Sequence, residues 1–341
     1  MKSLVYTAPK KVEVLDRPIP EPKEGQVRIK VSYCGICGSD ISIYTGKHPR
    51  AKAPLILGHE FIGTIDKINN CSGKFNAGDR VCAYPLISCG HCFACNNGSP
   101  HVCQTLKLIG IDVDGGIAEY VCCDEDVLFH IDDSISDTAA AVIEPLAVII
   151  RTMHQANFKM LDTAIITGAG PIGILTAIVL KHAGASCIFI SDIDENRLKI
   201  CRDMGFETVN SSKTNIIDYI HEKTNGVGTD VVFECSGAEI SALEMTKLCR
   251  IGGTICMTGV HKTPHAVNLQ DLNFKEQILI GSRVYTKREF EQAVAYAKEI
   301  EKDLEKIVTH IIPIEQSERV FDLIHDKNEI TVKILIQCGT I

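Results

Sequence analysis

Two short stretches near the start of the chain contain the residue types that hold a catalytic metal ion. Residues 37–40 read Cys-Gly-Ser-Asp, and residues 58–60 read Gly-His-Glu. A thiolate, an imidazole and a carboxylate can hold a zinc ion with one coordination position open. An open position polarises a bound oxygen and makes a bound alcohol or water more acidic. Cys37, His59 and Glu60 therefore predict a catalytic zinc site, with a buried thiol and a structural histidine as the alternatives.

Glu144 is a further candidate for the same site, because it interrupts a mostly apolar stretch over residues 139–150. Burying a carboxylate costs free energy unless the group is paired or bound to a metal. A buried salt bridge, or a carboxylate at a helix end, would explain the same pattern.

Four cysteines form a second candidate metal site. Cys89, Cys92, Cys95 and Cys103 lie within fifteen residues, with turn-forming glycine and proline between them. Four thiolates at such spacing favour a closed tetrahedral zinc site. The pattern predicts a structural zinc lobe at about residues 86–104. An iron–sulfur cluster and four unrelated buried thiols are the alternatives.

A glycine-rich turn predicts a dinucleotide site. Residues 168–173 read Gly-Ala-Gly-Pro-Ile-Gly, follow a predicted strand and open a predicted helix, whose N-terminus favours phosphate. Asp192 stands at the end of the next predicted strand, nineteen residues past Gly173, where a carboxylate accepts hydrogen bonds from an adenosine ribose. This carboxylate would repel a 2′-phosphate, which favours NAD over NADP. Arg197 either flanks the adenosine or is an exposed helix residue, and a glycine turn that binds no nucleotide remains the alternative.

The elements that must position these residues differ along the chain. Short alternating strands fill the first part, where apolar residues at positions 12, 14, 27, 29 and 31 predict an antiparallel hairpin. From residue 148 six apolar strands alternate with helices, which predicts a doubly wound parallel sheet. One amphipathic helix is predicted over 287–303, and a strand over 330–336 is expected to return to the first domain. The predicted domains are residues 1–147 plus 284–341, and residues 148–283.

Length, charge and cysteine content limit the function classes. A chain of 341 residues favours two domains, and a net charge of −8 without a basic stretch argues against nucleic-acid binding. The longest apolar run is too short to span a bilayer, and the first residues lack the apolar core of a signal peptide. Sixteen cysteines in such a chain indicate metal ligands and free thiols rather than disulfides. We therefore expect a cytoplasmic protein with a small-molecule substrate and neither nucleic acid nor membrane as partner.

Taken together, these motifs resemble the zinc-dependent medium-chain dehydrogenases over essentially the whole chain. The resemblance rests on residues 37–40, 58–60, 78–81, 144–146 and 168–173 and on the four-cysteine lobe. It implies an α/β protein with a chaperonin-10-like (GroES-like) β-barrel catalytic domain and a Rossmann doubly wound parallel sheet. It also implies two zinc ions per chain, NAD, and a homo-dimer or homo-tetramer.

Glu144 stands where ordinary alcohol dehydrogenases of this family have a cysteine ligand, which is similar to the polyol and sugar-acid branch. That branch includes sorbitol, L-threonine, L-idonate, L-gulonate and L-galactonate dehydrogenases, and residues 87–92 and 281–283 favour its sugar-acid members. The resemblance implies hydride transfer between a secondary alcohol of a sugar acid and NAD. A polyol or L-threonine substrate is the alternative, and an inactive zinc-stabilised nucleotide-binding protein is the non-enzymatic one.

The resemblance also implies residue roles. Glu60 and Glu144 become exchangeable carboxylates at the zinc, and Ser39 hydrogen-bonds the reacting oxygen and starts a proton path, with a helix N-cap serine as its alternative. Ser42 replaces the histidine that ends this path in many relatives. Arg283, with Arg50, Lys52 and His48 as further candidates, would contact substrate. The implied cofactor contacts are Gly168, Gly170, Pro171, Ile172, Gly173, Asp192, Arg197, Thr258, Val260 and Ser282.

Overall fold

The computed structural model of the protein describes residues 1–326 and 329–339. The chain forms two compact units, which are Met1–Ala147 with Tyr285–Ile341, and Val148–Val284. No helix of the described residues is long and apolar enough to cross a membrane.

The first unit is built mainly from short strands. From the N-terminus to residue 156 the elements are β1 (Lys2–Ala8), β2 (Lys11–Asp16), β3 (Gln26–Gly35), α1 (Gly38–Tyr44), β4 (Leu55–Ile56), β5 (Glu60–Asn69), β6 (Arg80–Ala83), β7 (Leu86–Ile87), α2 (Phe93–Asn96), β8 (Lys107–Leu108), β9 (Tyr120–Asp124), β10 (Leu128–His130), α3 (Asp137–Ala140) and α4 (Ile143–Ala156).

The second unit alternates strands and helices, and the chain then returns to the first. The elements of the second unit are β11 (Thr163–Thr167), α5 (Pro171–His182), β12 (Cys187–Asp192), α6 (Glu195–Asp203), β13 (Glu207–Asn210), α7 (Ile216–Lys223), β14 (Thr229–Glu234), α8 (Glu239–Leu248), β15 (Cys249–Met257), α9 (Leu269–Phe274) and β16 (Ile278–Gly281). The returning elements are α10 (Lys287–Ala297), α11 (Glu301–Ile307), β17 (Val308–Pro313), α12 (Val320–His325) and β18 (Lys333–Gln337).

The main sheet of the first unit has the strand order β10-β6-β5-β3-β18-β17, and β9 also pairs with β3. Alternation in β3 buries Val27, Ile29 and Val31. The predicted hairpin between β2 and β3 is wrong, because β2 pairs with β1 while β3 pairs with β5 and β9. Three prolines between residues 17 and 25 explain the error, since proline has no N–H to donate to a strand ladder.

The last strand, β18, lies inside this sheet. It runs antiparallel to β3, with Ile336 opposite Cys34, and parallel to β17. Its side chains are buried from Lys333 to Ile336. The C-terminal segment therefore lies beside the strand that leads directly into residues 37–40.

The predicted single helix over 287–303 is two helices. Helix α10 ends at Ala297, and α11 begins at Glu301. Each helix has its own buried face: Ala297 is buried on α10, and Ile300 and Leu304 are buried before and within α11. The break lets the two buried faces take different directions, which a single continuous helix would not allow.

The second unit contains one parallel sheet with the order β13-β12-β11-β14-β15-β16, which confirms the predicted doubly wound sheet. Its core includes Ile165 on β11, Val232 on β14 and Ile255 on β15. The chain leaves β11 on one side toward β12 and later fills the other side with β14. Ligands bind such sheets at the carboxyl ends of the strands where the order reverses. The turn at 168–173 lies at this point.

Candidate functional site

Three predicted zinc ligands are brought together in the first unit. One ligand atom each from Cys37, His59 and Glu60 lies within 4.8 Å of the others. Cys37 directly precedes α1, and Glu60 begins β5, where it stands opposite Gly35 of β3. The β3–β5 pairing thus places the two sequence-distant stretches side by side. His59 and Glu60 are almost fully buried.

The cluster has the charge pattern of a cation site. Burial alone lowers the pKa of His59, but the Cys37 thiolate, and then the Glu144 carboxylate, raise it well above its usual value. Negative groups therefore surround the imidazole. A thiolate, an imidazole and a carboxylate at this separation are a donor set that zinc prefers.

Unpartnered buried atoms at the same place fit a bound metal and an oxygen ligand. Within the described residues, Ser39 Oγ, Asp40 Oδ1 and His59 Nδ1 are buried without a hydrogen-bond partner. Such atoms cost free energy unless something completes their bonding. The other carboxylate oxygen of Asp40 accepts a hydrogen bond from the Cys37 N–H at 2.9 Å and so fixes the thiolate loop. The N-cap of α1 is Cys37, so the N-cap interpretation of Ser39 is wrong.

Glu144 lies outside the three-residue cluster. It is buried in the first turn of α4, and its Oε1 accepts a hydrogen bond from the hydroxyl of Tyr285. Burial raises the pKa of this carboxyl to about 7, although His59 acts in the opposite direction. Glu144 is therefore a carboxylate at a helix end, which is one of the two alternatives that the sequence left open for its burial. Tyr285 is fully buried against Tyr84 and Phe290, and sequence reasoning missed it.

Lys333 is the second residue that sequence reasoning missed. Its ammonium forms an ion pair with Glu60 Oε2 and donates to the carbonyl of Ile36 at 3.0 Å. Both charged side chains are almost fully buried. Burial alone lowers the pKa of Lys333, but Glu60, and then Cys37, raise it above its usual value. The available signal was a lysine within an otherwise apolar strand.

Gly35 makes room for this pair. A Cβ atom there would overlap Oε2 of Glu60 and lie 2.8 Å from Cε of Lys333. The glycine before residues 37–40 is thus required by packing, whatever that loop binds.

The four cysteine sulfurs of the lobe also converge within 4.8 Å of one another. The distance from Cys92 Sγ is 3.5 Å to Cys95 Sγ and 3.8 Å to Cys103 Sγ. A tetrahedral ion with sulfur ligands at 2.3 Å requires sulfurs roughly 3.8 Å apart. A hydrogen bond from the Cys89 N–H is the largest contribution that lowers the pKa of Cys103, to about 6, which favours the thiolate. The distances fit a single ion better than a cluster whose cysteines ligate separate irons.

In the second unit the glycine turn has the geometry of a phosphate loop. Gly168 has φ +103°, which favours glycine, and a Cβ on Gly173 would overlap the carbonyl oxygen of Gly168. A Cβ on Gly170 would meet no atom within 4 Å, so this position is open. Pro171 and Ile172 follow in the first turn of α5. The turn therefore exposes backbone N–H groups at a helix N-terminus, which attracts phosphate.

Asp192 and a cavity of about 360 Å³ lie next to this turn. The Asp192 carboxylate accepts hydrogen bonds from the N–H groups of Ala169 at 2.7 Å and Asp194 at 2.9 Å. Thr167, whose Oγ1 is buried without a partner among the described residues, lines the cavity. Ile193 and Ile240 are exposed on its wall and offer apolar surface to a planar base. These features fit an adenosine group.

The other predicted cofactor contacts are partly brought together. The hydroxyl oxygen of Thr152 lies 3.3 Å from that of Thr258 and 3.2 Å from that of Ser282. Val260 is 73% exposed. Arg197 is half-exposed, and its Nε lies 3.9 Å from Asp194 Oδ2.

The substrate candidates differ in how far their charges are engaged. Arg50 donates to the Leu106 carbonyl at 2.7 Å and pairs with Asp112 at 3.1 Å, so its guanidinium is used within the fold. His48 Nδ1 accepts the N–H of Ala51 at 3.3 Å.

Ser42, Arg283 and Lys52 are the remaining positions that the sequence singles out near the substrate. The backbone N–H of His48 donates to the carbonyl of Ser42 at 3.1 Å, which places these two residues beside each other. Arg283 and Lys52 are exposed.

Comparison with known proteins assigns the family. The profile described as "Alcohol dehydrogenase GroES-like domain" matches residues 23–133, and that described as "Zinc-binding dehydrogenase" matches residues 171–299. A sorbitol dehydrogenase of Halalkalibacterium halodurans is 34% identical over 342 residues, covering 98% of this chain and 99% of that protein. A 2-dehydro-3-deoxy-L-galactonate 5-dehydrogenase of Pseudoalteromonas atlantica is 31% identical over 335 residues, covering 98% of both chains.

Solved structures agree with this result. An Escherichia coli CFT073 alcohol dehydrogenase, rspB, complexed with NADH superposes with a TM-score of 0.91 at 30% identity, covering 99% of both chains. The chain belongs to the zinc-type medium-chain dehydrogenase family, and its fold is the expected GroES-like domain with a Rossmann parallel sheet. It is an oxidoreductase of that family.

The buried ion pair generates a first prediction. Lys333→Met should lower the stability of the first unit by about 3–5 kcal/mol, because removing one partner leaves the Glu60 charge buried and unpaired. Lys333→Arg keeps the charge and should cost less. Urea unfolding and zinc content measure the effect, and Lys2→Met, which breaks the exposed Lys2–Glu315 pair, is the control. Equal unfolding midpoints for Lys333→Met and wild type would contradict the role of this pair.

The glycine turn generates a second prediction. Gly173→Ala should destabilise the second unit, because its methyl group would overlap the Gly168 carbonyl. Gly170→Ala should fold normally, because that position is open. It should bind NADH more weakly, because a side chain there would keep the pyrophosphate away from the protein backbone. Thermal unfolding and NADH fluorescence titration separate the two effects. If Gly173→Ala instead folded normally and bound NADH weakly, while Gly170→Ala was destabilised and bound NADH normally, the turn would not bind phosphate in this way.

Proposed function

We propose that this protein is a zinc-dependent, NAD-linked dehydrogenase that oxidises a secondary alcohol of a sugar acid or reduces the corresponding ketone. The cluster of Cys37, His59 and Glu60 carries the proposal, together with the hydroxyl of Ser39, which lies two residues after Cys37 and has no hydrogen-bond partner among the described residues. Zinc supplies a Lewis acid that lowers the pKa of an alcohol hydroxyl, and NAD supplies the hydride acceptor.

Cys37 and His59 hold the zinc in this proposal, with Glu60 and Glu144 as alternative carboxylate ligands. Two observations favour Glu60 for the resting enzyme. Its carboxylate lies within the cluster, whereas Glu144 lies outside it and is bound by Tyr285. Lys333 orients Glu60 from behind and offsets one negative charge of the site. Cys89, Cys92, Cys95 and Cys103 hold a second, structural zinc, and a measured content of one zinc per chain would contradict this assignment.

Ser39 accepts the hydroxyl proton of the substrate and passes it outward. Its Oγ is buried without a hydrogen-bond partner in the part of the chain that the structure describes, so it is available to a substrate hydroxyl. Ser42 has no imidazole to continue the path, and His48 stands beside it through a backbone hydrogen bond. We therefore propose His48 as a candidate for the outer end of the path.

NAD is the proposed dinucleotide. Asp192 ends β12, where a carboxylate in this kind of sheet accepts hydrogen bonds from ribose, and the solved rspB relative is complexed with NADH; both support NAD. Gly168, Gly170, Pro171, Ile172 and Gly173 contact the pyrophosphate, and Arg197 flanks the adenosine. Thr258, Val260 and Ser282 line the nicotinamide half in this proposal.

The sugar-acid assignment draws support from the galactonate-type relative, and the sorbitol dehydrogenase relative supports the polyol alternative. L-threonine is the third candidate substrate. A carboxylate needs a cation, and Arg283 is exposed, whereas Arg50 is engaged by Asp112. Arg283 is therefore the proposed substrate contact.

A second copy of this chain is the proposed partner. Strand β16 lies at the edge of its sheet, and apolar side chains are exposed near it, namely Leu269, Phe274 and Ile278. An exposed edge with apolar neighbours favours pairing with another strand edge. We propose a homo-dimer or homo-tetramer, and a monomer in sedimentation experiments at all concentrations would contradict it.

A panel of substrates tests the proposed reaction. NADH absorbance should rise with L-gulonate, L-galactonate or L-idonate more than with sorbitol or L-threonine. Arg283→Ala should raise the KM for the acid by about tenfold and leave that for a polyol unchanged, because a charged hydrogen bond is lost. Arg288→Ala, another exposed arginine, is the control. No turnover with any of these, at full zinc content, would favour the non-enzymatic alternative.

Ser39→Ala tests the proton path. Turnover should fall by about a hundredfold, because general acid–base groups contribute at least this much. Zinc content and NADH affinity should not change, since the hydroxyl binds neither in the proposal. Wild-type turnover in this variant would refute the role of Ser39.

A further inference from the structure

Paired charges border the adenosine cavity next to β13. Lys213 lines the cavity, and its ammonium lies 3.2 Å from Oε2 of Glu195. The same carboxylate binds Arg202 at 2.7 Å through its other oxygen and accepts a hydrogen bond from Asn210 at 2.8 Å. Glu195 therefore engages two cations and one amide, and of these groups Lys213 lines the cavity.

These cations matter for the choice between NAD and NADP. A 2′-phosphate is recognised by charge-assisted hydrogen bonds from lysine or arginine. An unengaged ammonium at Lys213 would offer such a bond and offset the repulsion from Asp192. The carboxylate of Asp192 already accepts two backbone hydrogen bonds. It therefore repels a nearby phosphate less than a carboxylate without hydrogen bonds would. Asp192 alone is thus an incomplete barrier.

We infer that Glu195 is a positioning residue that makes the protein selective for NAD, because it holds Lys213, which lines the cavity, away from a 2′-phosphate. The inference rests on the proposed NAD-linked function and extends it to a residue outside the turn and the ribose carboxylate. Glu195 begins α6, three residues after Asp192, so one short segment carries both devices.

The carboxylate is charged under all conditions in which the enzyme would work. Hydrogen bonds from Asn210, and then from Arg202 and Lys213, lower the pKa of Glu195 to about 2. Its effect is therefore constant near neutral pH. Exposed ion pairs add little to stability, so removing this charge is compatible with folding.

Binding of two adenosine fragments tests the inference without relying on turnover. The zinc-loaded full chain is titrated calorimetrically with 5′-AMP and with 2′,5′-ADP. Glu195→Gln keeps the size of the side chain, removes its charge, and should shift the affinity ratio roughly tenfold toward 2′,5′-ADP. The ratio of kcat/KM for NADP against NAD should move in the same direction.

Two further variants show whether the effect passes through Lys213. Asp203→Asn removes a negative charge from the same helix, where it pairs with Lys199 at 2.8 Å, and should leave the ratio unchanged. Adding Lys213→Met to Glu195→Gln should abolish the gain. If 5′-AMP binds but Glu195→Gln leaves the ratio at the wild-type value, or Asp203→Asn shifts it equally, the inference is wrong and the proposed function stands. If neither fragment binds wild type, both are wrong.

Discussion

The buried ion pair between Lys333 and Glu60 is the constraint on which the catalytic unit depends. Two charges removed from water cost several kcal/mol unless they are paired and hydrogen-bonded. Here the ammonium bonds both the carboxylate and the Ile36 carbonyl. The pair can form only because β18 lies directly beside β3. The predicted metal ligands and the C-terminal strand are therefore linked through this pair.

The same pair balances charge at the site. In the proposed zinc site, a thiolate at Cys37 and carboxylates at Glu60 and Glu144 would place three potential negative charges near one divalent cation. Lys333 would offset one of them, so the proposed site with zinc bound would be close to neutral. The hydrogen bond from Tyr285 engages Glu144, which lies outside the cluster of Cys37, His59 and Glu60.

The sequence predicts which side chains come together where they are close in the chain or where strand order brings them together. The glycine turn, Asp192 and the four cysteines belong to this class, since a single loop or a β–α–β unit positions them. Lys333 and Tyr285 were missed because they lie 273 and 141 residues from Glu60 and Glu144. No local pattern shows such a pairing. The split after Ala297 was missed because amphipathic periodicity continues across it, and only the separate packing of the two helices reveals the break.

Selectivity is harder to predict from sequence than chemistry, because a charge is available to a ligand only when no neighbouring group has engaged it. Arg50 was a reasonable substrate contact in sequence, yet Asp112 and a backbone carbonyl occupy its guanidinium. Lys213 borders a nucleotide cavity, yet Glu195 neutralises it. In both cases one acidic residue removes a potential anion site without touching the ligand. Substrate and cofactor choice can therefore change through such acids while the zinc ligands and the glycine turn stay as they are.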